Sequence, residues 1–155
     1  MKKELKQSNN EKIFHIGSSK MATEFTAVKK HWISHIRQTF VNGKDIADAL
    51  ESKSEPEFDK WMPKLNPKYN EADPKEASAN KGYLMLYEAE IKAFVERKNK
   101  YLFNLDSAYA LLFEKCSKVL KNKIQSRSDF QKIKQDPILL IQVIEEHTVC
   151  YNEEK

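Results

Sequence analysis

At 155 residues, 40% of them hydrophobic and 32% charged, the chain is long enough to bury one core without disulfides or metal and polar enough to suit long helices with one wet face. Three glycines are too few for a turn-rich β architecture, and two cysteines, Cys116 and Cys150, are too few for a secreted disulfide scaffold. A net charge of +4 permits contact with polyanions but falls short of the dense basic surface of a dedicated nucleic-acid binder.

The polar start MKKELKQSNNEK does not read as a secretory leader, and no run reaches the ~18 apolar residues of a membrane span. A cytoplasmic setting without a membrane partner is therefore expected. Residues 1–20 read as a flexible tail with one apolar island, Ile13, Phe14 and Ile16, able to pin it to a core. From Met21 the steps Met21, Phe25, Val28, Trp32, Ile36 and Phe40 predict one helical stripe, ending at Asn42-Gly43. A short helix from Asp45 to about Ser52 follows, with Ile46, Ala49 and Leu50 inward.

Between residues 54 and 82, Pro56, Pro63, Pro67 and Pro74 forbid a long helix and break strand ladders, which predicts an extended connector. Its aromatics Phe58, Trp61 and Tyr69 indicate that part of it lies against other residues, since burying such side chains gains ~1.5–3 kcal/mol each. From Tyr83 to Gln135 there is neither Gly nor Pro. The stripe Leu84, Tyr87, Ile91, Phe94, Tyr101, Leu105, Tyr109, Leu112, Cys116 and Val119 predicts a long helix there, with Lys98 at a stripe position and a stutter at Tyr101, Leu105 and Tyr109. Asn104 and Asp106 could cap a break, although the stripe stays in phase across them. Beyond Ile124 a Ser-capped short helix carries Phe130 and Ile133. Asp136 and Pro137 then start a last helix with Ile138, Leu140, Ile141, Ile144 and His147 on its apolar side. The expected fold is thus all-α, a helical bundle of about four to five helices with one long helix and a Pro-rich extended connector, in a single helical domain over residues 21–150 and with residues 151–155 frayed.

The search for chemistry yields little. His31 and His35 have the spacing of two metal ligands, but HWISH lacks the Glu of the HExxH signature, and only His147, Cys116, Cys150 or acidic residues could complete a site. They read as boundary histidines, Cys116 as a small core hydrophobe and His147 as a packed histidine, with no metal or cofactor expected. There is no Gly-rich phosphate loop, no GxSxG elbow and no recognisable carboxylate pair, so neither catalysis nor a small-molecule substrate is expected. Lys115, Lys118 and Lys121, with Lys123 and Arg127 nearby, offer a phosphate-binding stripe whose plainer reading is a solvated helix face.

Three blocks carry a family resemblance: residues 88–101, the ALLFEKCSKVLKNKIQSRSDF run over 110–130, and the DPILLIQVIEEHT helix. Together with EFTAVKKHWISHIRQTFVNGKDIADALES upstream, they resemble the Gag-like, capsid-region proteins of Copia-type LTR retrotransposons found in microalgae, over residues 22–150. Relatives often carry a Trp-Gly-Gln-Cys run where this chain has Phe113-Glu114-Lys115-Cys116, and no zinc knuckle follows. The resemblance implies a non-catalytic structural protein that packs against copies of itself into a particle around element RNA, making the chain itself and RNA the expected partners. Phe58, Trp61 and Tyr69 are the expected self-association contacts, and Lys115, Lys118, Lys121, Lys123 and Arg127 the expected RNA contacts. The alternatives are a stand-alone basic RNA-binding or chaperone protein, a helical metal or ligand carrier using His31 and His35, and a relict or domesticated Gag fragment acting as an interaction module.

Overall fold

The structure, a computed structural model, describes residues 12–17 and 19–149. The fold is all-α: among the described residues there are helices α1 (Ser19–Thr39), α2 (Gly43–Ser52), α3 (Phe58–Trp61), α4 (Ala77–Glu114), α5 (Lys118–Gln125), α6 (Phe130–Ile133) and α7 (Pro137–Val149), and no strand. A 3-10 turn, Pro74–Glu76, leads into α4. No helix among the described residues is long and apolar enough to cross a membrane. The frayed end at 151–155, Cys150 and residues 1–11 of the expected tail lie outside the described residues.

The residues form two compact units, Pro56–Lys100 and a larger one made of the chain up to Glu55 together with the chain from Tyr101. In the larger unit α7 packs against α1, α2, α5 and α6. It can do so because its sequence is apolar on nearly every side, with Pro137, Ile138, Leu140, Ile141, Val143, Ile144 and Thr148 all buried. Its start is the expected one: the Asp136 carboxylate accepts from the backbone N–H groups of Ile138 and Leu139, both at 3.1 Å. Ile46, Ala49 and Leu50 face inward as expected, and Ala47 joins them.

Four expectations shift. On α1 the buried residues are Met21, Phe25, Val28, Ile33 and Ile36, whereas Trp32 stays half-buried and donates its indole N–H to the Lys12 carbonyl at 2.6 Å. A ring with a polar edge is placed where that edge finds a partner, and Ile33 fills the core beside it. The turn after α1 uses both halves of Asn42-Gly43, but with divided duties. Asn42 takes the left-handed backbone, φ 54, whereas Gly43 is needed for close approach, since a Cβ there would lie 2.3 Å from the Ile36 carbonyl oxygen.

The apolar island is pinned as expected. Phe14 is fully buried, and its backbone bonds the Lys115 carbonyl and the Ser117 N–H, each at 2.8 Å, in an isolated parallel bridge with Cys116. This bridge explains why α4 ends at Glu114 instead of running on through Cys116 and Val119. The Lys115 and Cys116 N–H groups still bond carbonyls of α4, but the Lys115 carbonyl and the Ser117 N–H turn to Phe14, and Ser117 then caps α5, accepting from Leu120 N–H at 3.2 Å. Val119 is 57% exposed in consequence, and Leu120 and Ile124 take the core positions.

Within α4 there is no break at Asn104 or Asp106 and no stutter. The residue that turns inward is Ala108, fully buried, and not Tyr109. The seam therefore runs Asn80, Leu84, Tyr87, Ile91, Phe94, Lys98, Tyr101, Leu105, Ala108, Leu112 in unbroken four-three steps. Tyr109, half-buried, stacks nearly flat on Phe113 at 5.7 Å and 9°. Finally, the connector is shorter than residues 54–82. The Asp73 carboxylate accepts from Lys75 N–H at 2.9 Å with Pro74 next, a helix start rather than a breaker, so residues 77–82 are already helical.

Candidate self-association surface

In the unit Pro56–Lys100 a proline-rich arm, residues 56–73, lies against the first part of α4. Its prolines deny it a regular ladder, so side chains fix it. The Trp61 ring carries the Arg97 guanidinium 3.7 Å from its centroid, and the Phe58 ring carries the Lys98 ammonium at 4.9 Å. The two rings meet edge to face at 5.3 Å. Cation–π contacts of this kind contribute ~0.5–2 kcal/mol each. At the other end, the buried Asn80 side chain takes up both polar groups of one arm residue. It accepts from Asn70 N–H at 2.9 Å and donates to the Asn70 carbonyl at 2.6 Å. Lys98, an oddity on an apolar stripe, is thus a ring partner.

The arm aromatics are therefore fasteners within the unit. Phe58 and Trp61 engage the helix cations, and the Tyr69 hydroxyl donates to Glu71 at 2.7 Å. Within this unit the exposed large apolar side chains are others, Met62 (53% exposed), Met85 (61%), Leu86 (59%), Val95 (45%) and Leu84 (38%). Tyr83-Leu84-Met85-Leu86-Tyr87 is the cause: five consecutive apolar residues go more than once around a helix, and a single arm covers one side only. That run was the signal in the sequence that the stripe reading passed over, because a stripe counts residues on one face.

No family model, curated protein or solved structure matches the chain.

The five basic residues do not share one helix face, because α4 stops before Lys115 and α5 begins at Lys118. Lys115 lies over the Trp32 ring at 4.7 Å, with His31 and His35 edge-on to the same ring at 4.7 and 5.4 Å. Burial, then the charges of Lys12 and His35, hold the His31 pKa below its usual value. Lys121 approaches the Phe113 ring at 5.9 Å, and Lys118 and Lys123 are exposed. Arg127 is committed: it grips Asp129 through two hydrogen bonds, 2.8 and 3.0 Å, and reaches Glu146 at 3.3 Å. Its hydrogen bond also depresses the Asp129 carboxyl.

His31 and His35 are both exposed, and among the described residues no three His, Cys, Asp or Glu side chains cluster to hold a metal. Burial pushes the Cys116 thiol up to about 12, leaving it a neutral packing group that donates to the Leu112 carbonyl at 3.5 Å. His147 is half-buried beside Arg127, its Nε2 3.3 Å from the guanidinium, and burial first, then the Arg127 charge, lowers its pKa.

Proposed function

We propose that this chain is a non-catalytic structural protein that self-associates through the unit Pro56–Lys100, in keeping with its resemblance to Copia-type Gag, with element RNA as the cargo of the assembly. The observation that carries the reading is the apolar surface left uncovered on a polar helix, where Met85 and Leu86 are 61% and 59% exposed. Soluble monomers rarely leave large apolar side chains clustered in this way unless a partner covers them. Light scattering behind size-exclusion chromatography, over rising protein concentration, tests it. Multimers that grow with concentration support the reading, more so if single-stranded RNA promotes them, and a strict monomer at every concentration overturns it.

A second reading, binding of polyanions by the protein alone, is favoured by one cluster. Lys115 lies over the Trp32 ring, His31 and His35 stand edge-on to it, and its indole N–H bonds the Lys12 carbonyl, so a cation and a half-buried aromatic ring come together as in sites that grip single-stranded nucleic acid. It predicts complexes with RNA that weaken steeply with salt and need no multimer.

A further inference from the structure

The exposed side of α4 is not merely apolar; its residues follow a coiled-coil pattern of their own. One residue on from the seam that the arm covers, Lys81, Met85, Glu88, Lys92, Val95 and Asn99 succeed one another in four-three steps, and all six are exposed. The order of chemistry along this line is base, apolar, acid, base, apolar, amide. Read against itself in reverse, it matches at every level. Met85 comes opposite Val95, Glu88 opposite Lys92, and Lys81 opposite Asn99.

We propose that two copies of this chain pair through this line in antiparallel fashion, about a two-fold axis near residue 90. The inference rests on the self-association reading and supplies its geometry. In a two-fold contact each residue pair occurs twice, so the core holds two Met85–Val95 layers around two Glu88–Lys92 layers. The residues flanking the centre suit it: Ile91, half-buried, meets its own copy on one side, and Ala89 meets its own copy on the other. Leu84, 38% exposed, borders the line and is covered further by the same contact. A parallel pair is disfavoured because it would set Glu88 against Glu88 and Lys92 against Lys92, like charges at the centre of the contact. The central charges act as a register pin: sliding the antiparallel pair by one heptad forfeits both opposite-charge layers.

Charge reversal tests this directly, with sedimentation equilibrium as the readout and urea unfolding midpoints as the check that each variant folds. Glu88→Lys places two lysine layers at the centre, and Lys92→Glu places two glutamate layers there. Each is expected to weaken association at least tenfold. The double variant E88K/K92E, which exchanges the charges but keeps the match, should recover to within a few-fold of the parent. For orientation, Lys81→Cys and Asn99→Cys are made separately in a Cys150→Ser background, mixed and oxidised; heterodisulfides between the two variants are expected in excess over homodisulfides. A chain that associates but is indifferent to both single reversals, or that forms homodisulfides preferentially, overturns the antiparallel register while leaving self-association standing. A chain that stays monomeric overturns both.

Discussion

The long helix α4 makes the same kind of seam along its whole length, yet its two parts are covered to different degrees. In residues 101–112 the inward positions Tyr101, Ala108 and Leu112 are at most 2% exposed, and Leu105 is half-buried. In residues 84–98 the corresponding Leu84, Tyr87, Ile91, Phe94 and Lys98 are half-buried or exposed. Each part holds one buried asparagine that bonds the backbone of a loop: Asn104 donates to the Val41 carbonyl at 2.8 Å, and Asn80 pairs with Asn70. The difference lies in what packs on the seam. The later part lies within the core of the larger unit, whereas a proline-rich arm supplies two rings and one backbone clasp for the earlier part. A seam of one periodicity can therefore be core in one place and only partly covered in another.

The comparison can be broken most forcefully at Leu112. Leu112→Ala removes a fully buried side chain and should lower unfolding free energy by ~2–5 kcal/mol in urea titration, whereas Met85→Ala should change it by no more than ~0.5 kcal/mol. Equal losses at both sites would show that the earlier part is packed as tightly as the later. Next in size, Asn80→Ala leaves both polar groups of Asn70 without their clasp, at a cost of ~1–3 kcal/mol to the docking of the arm. Limited proteolysis should then cut residues 56–73 several-fold faster, and an unchanged rate would mean that Trp61 and Phe58 hold the arm without it.

Gly82 sits inside α4 with nothing within 4 Å of an added Cβ, so Gly82→Ala should stabilise the earlier part by up to ~1 kcal/mol, seen as a higher thermal midpoint by circular dichroism. A lower midpoint would mean that the glycine serves a contact. The smallest effect expected is that of pH on the larger unit. His31 and His147 have folded pKa values below the ordinary ~6.5, so the stability they contribute is present above that value and is lost as pH falls through their folded values. The urea midpoint should drop between pH 7.5 and 5.5, and less so in His147→Gln. An equal drop in that variant would remove His147 from the account.

Much of the fold was legible because the features that fix it are local. Asp136-Pro137 starts α7, Asn42-Gly43 ends the α1 region, and the apolar periodicity of α2 and α7 names their buried faces. What escaped depended on partners distant in sequence. That α4 ends at Glu114 follows from Phe14 docking on Lys115 and Ser117, about a hundred residues away. That Ala108 rather than Tyr109 is buried escaped because a small residue scores poorly in any search for large apolar ones. The candidate surface was half legible. The arm aromatics were rightly read as packing against something, but the something is Arg97 and Lys98 of their own unit. Met85 and Leu86 were overlooked because a stripe search discards apolar residues that fall off the stripe, and those are the residues left exposed.

On the reading proposed above, the uncovered apolar side of α4 in the unit Pro56–Lys100 joins copies of the chain. Sedimentation velocity on the parent and on the double variant M85E/V95E, at matched concentrations and with matched urea midpoints, tests it. Concentration-dependent multimers are expected for the parent and a monomer for the variant, since two carboxylates at these exposed sites leave the fold intact but cannot be buried between copies. A parent that is monomeric throughout, or a variant that associates as well as the parent, would contradict it.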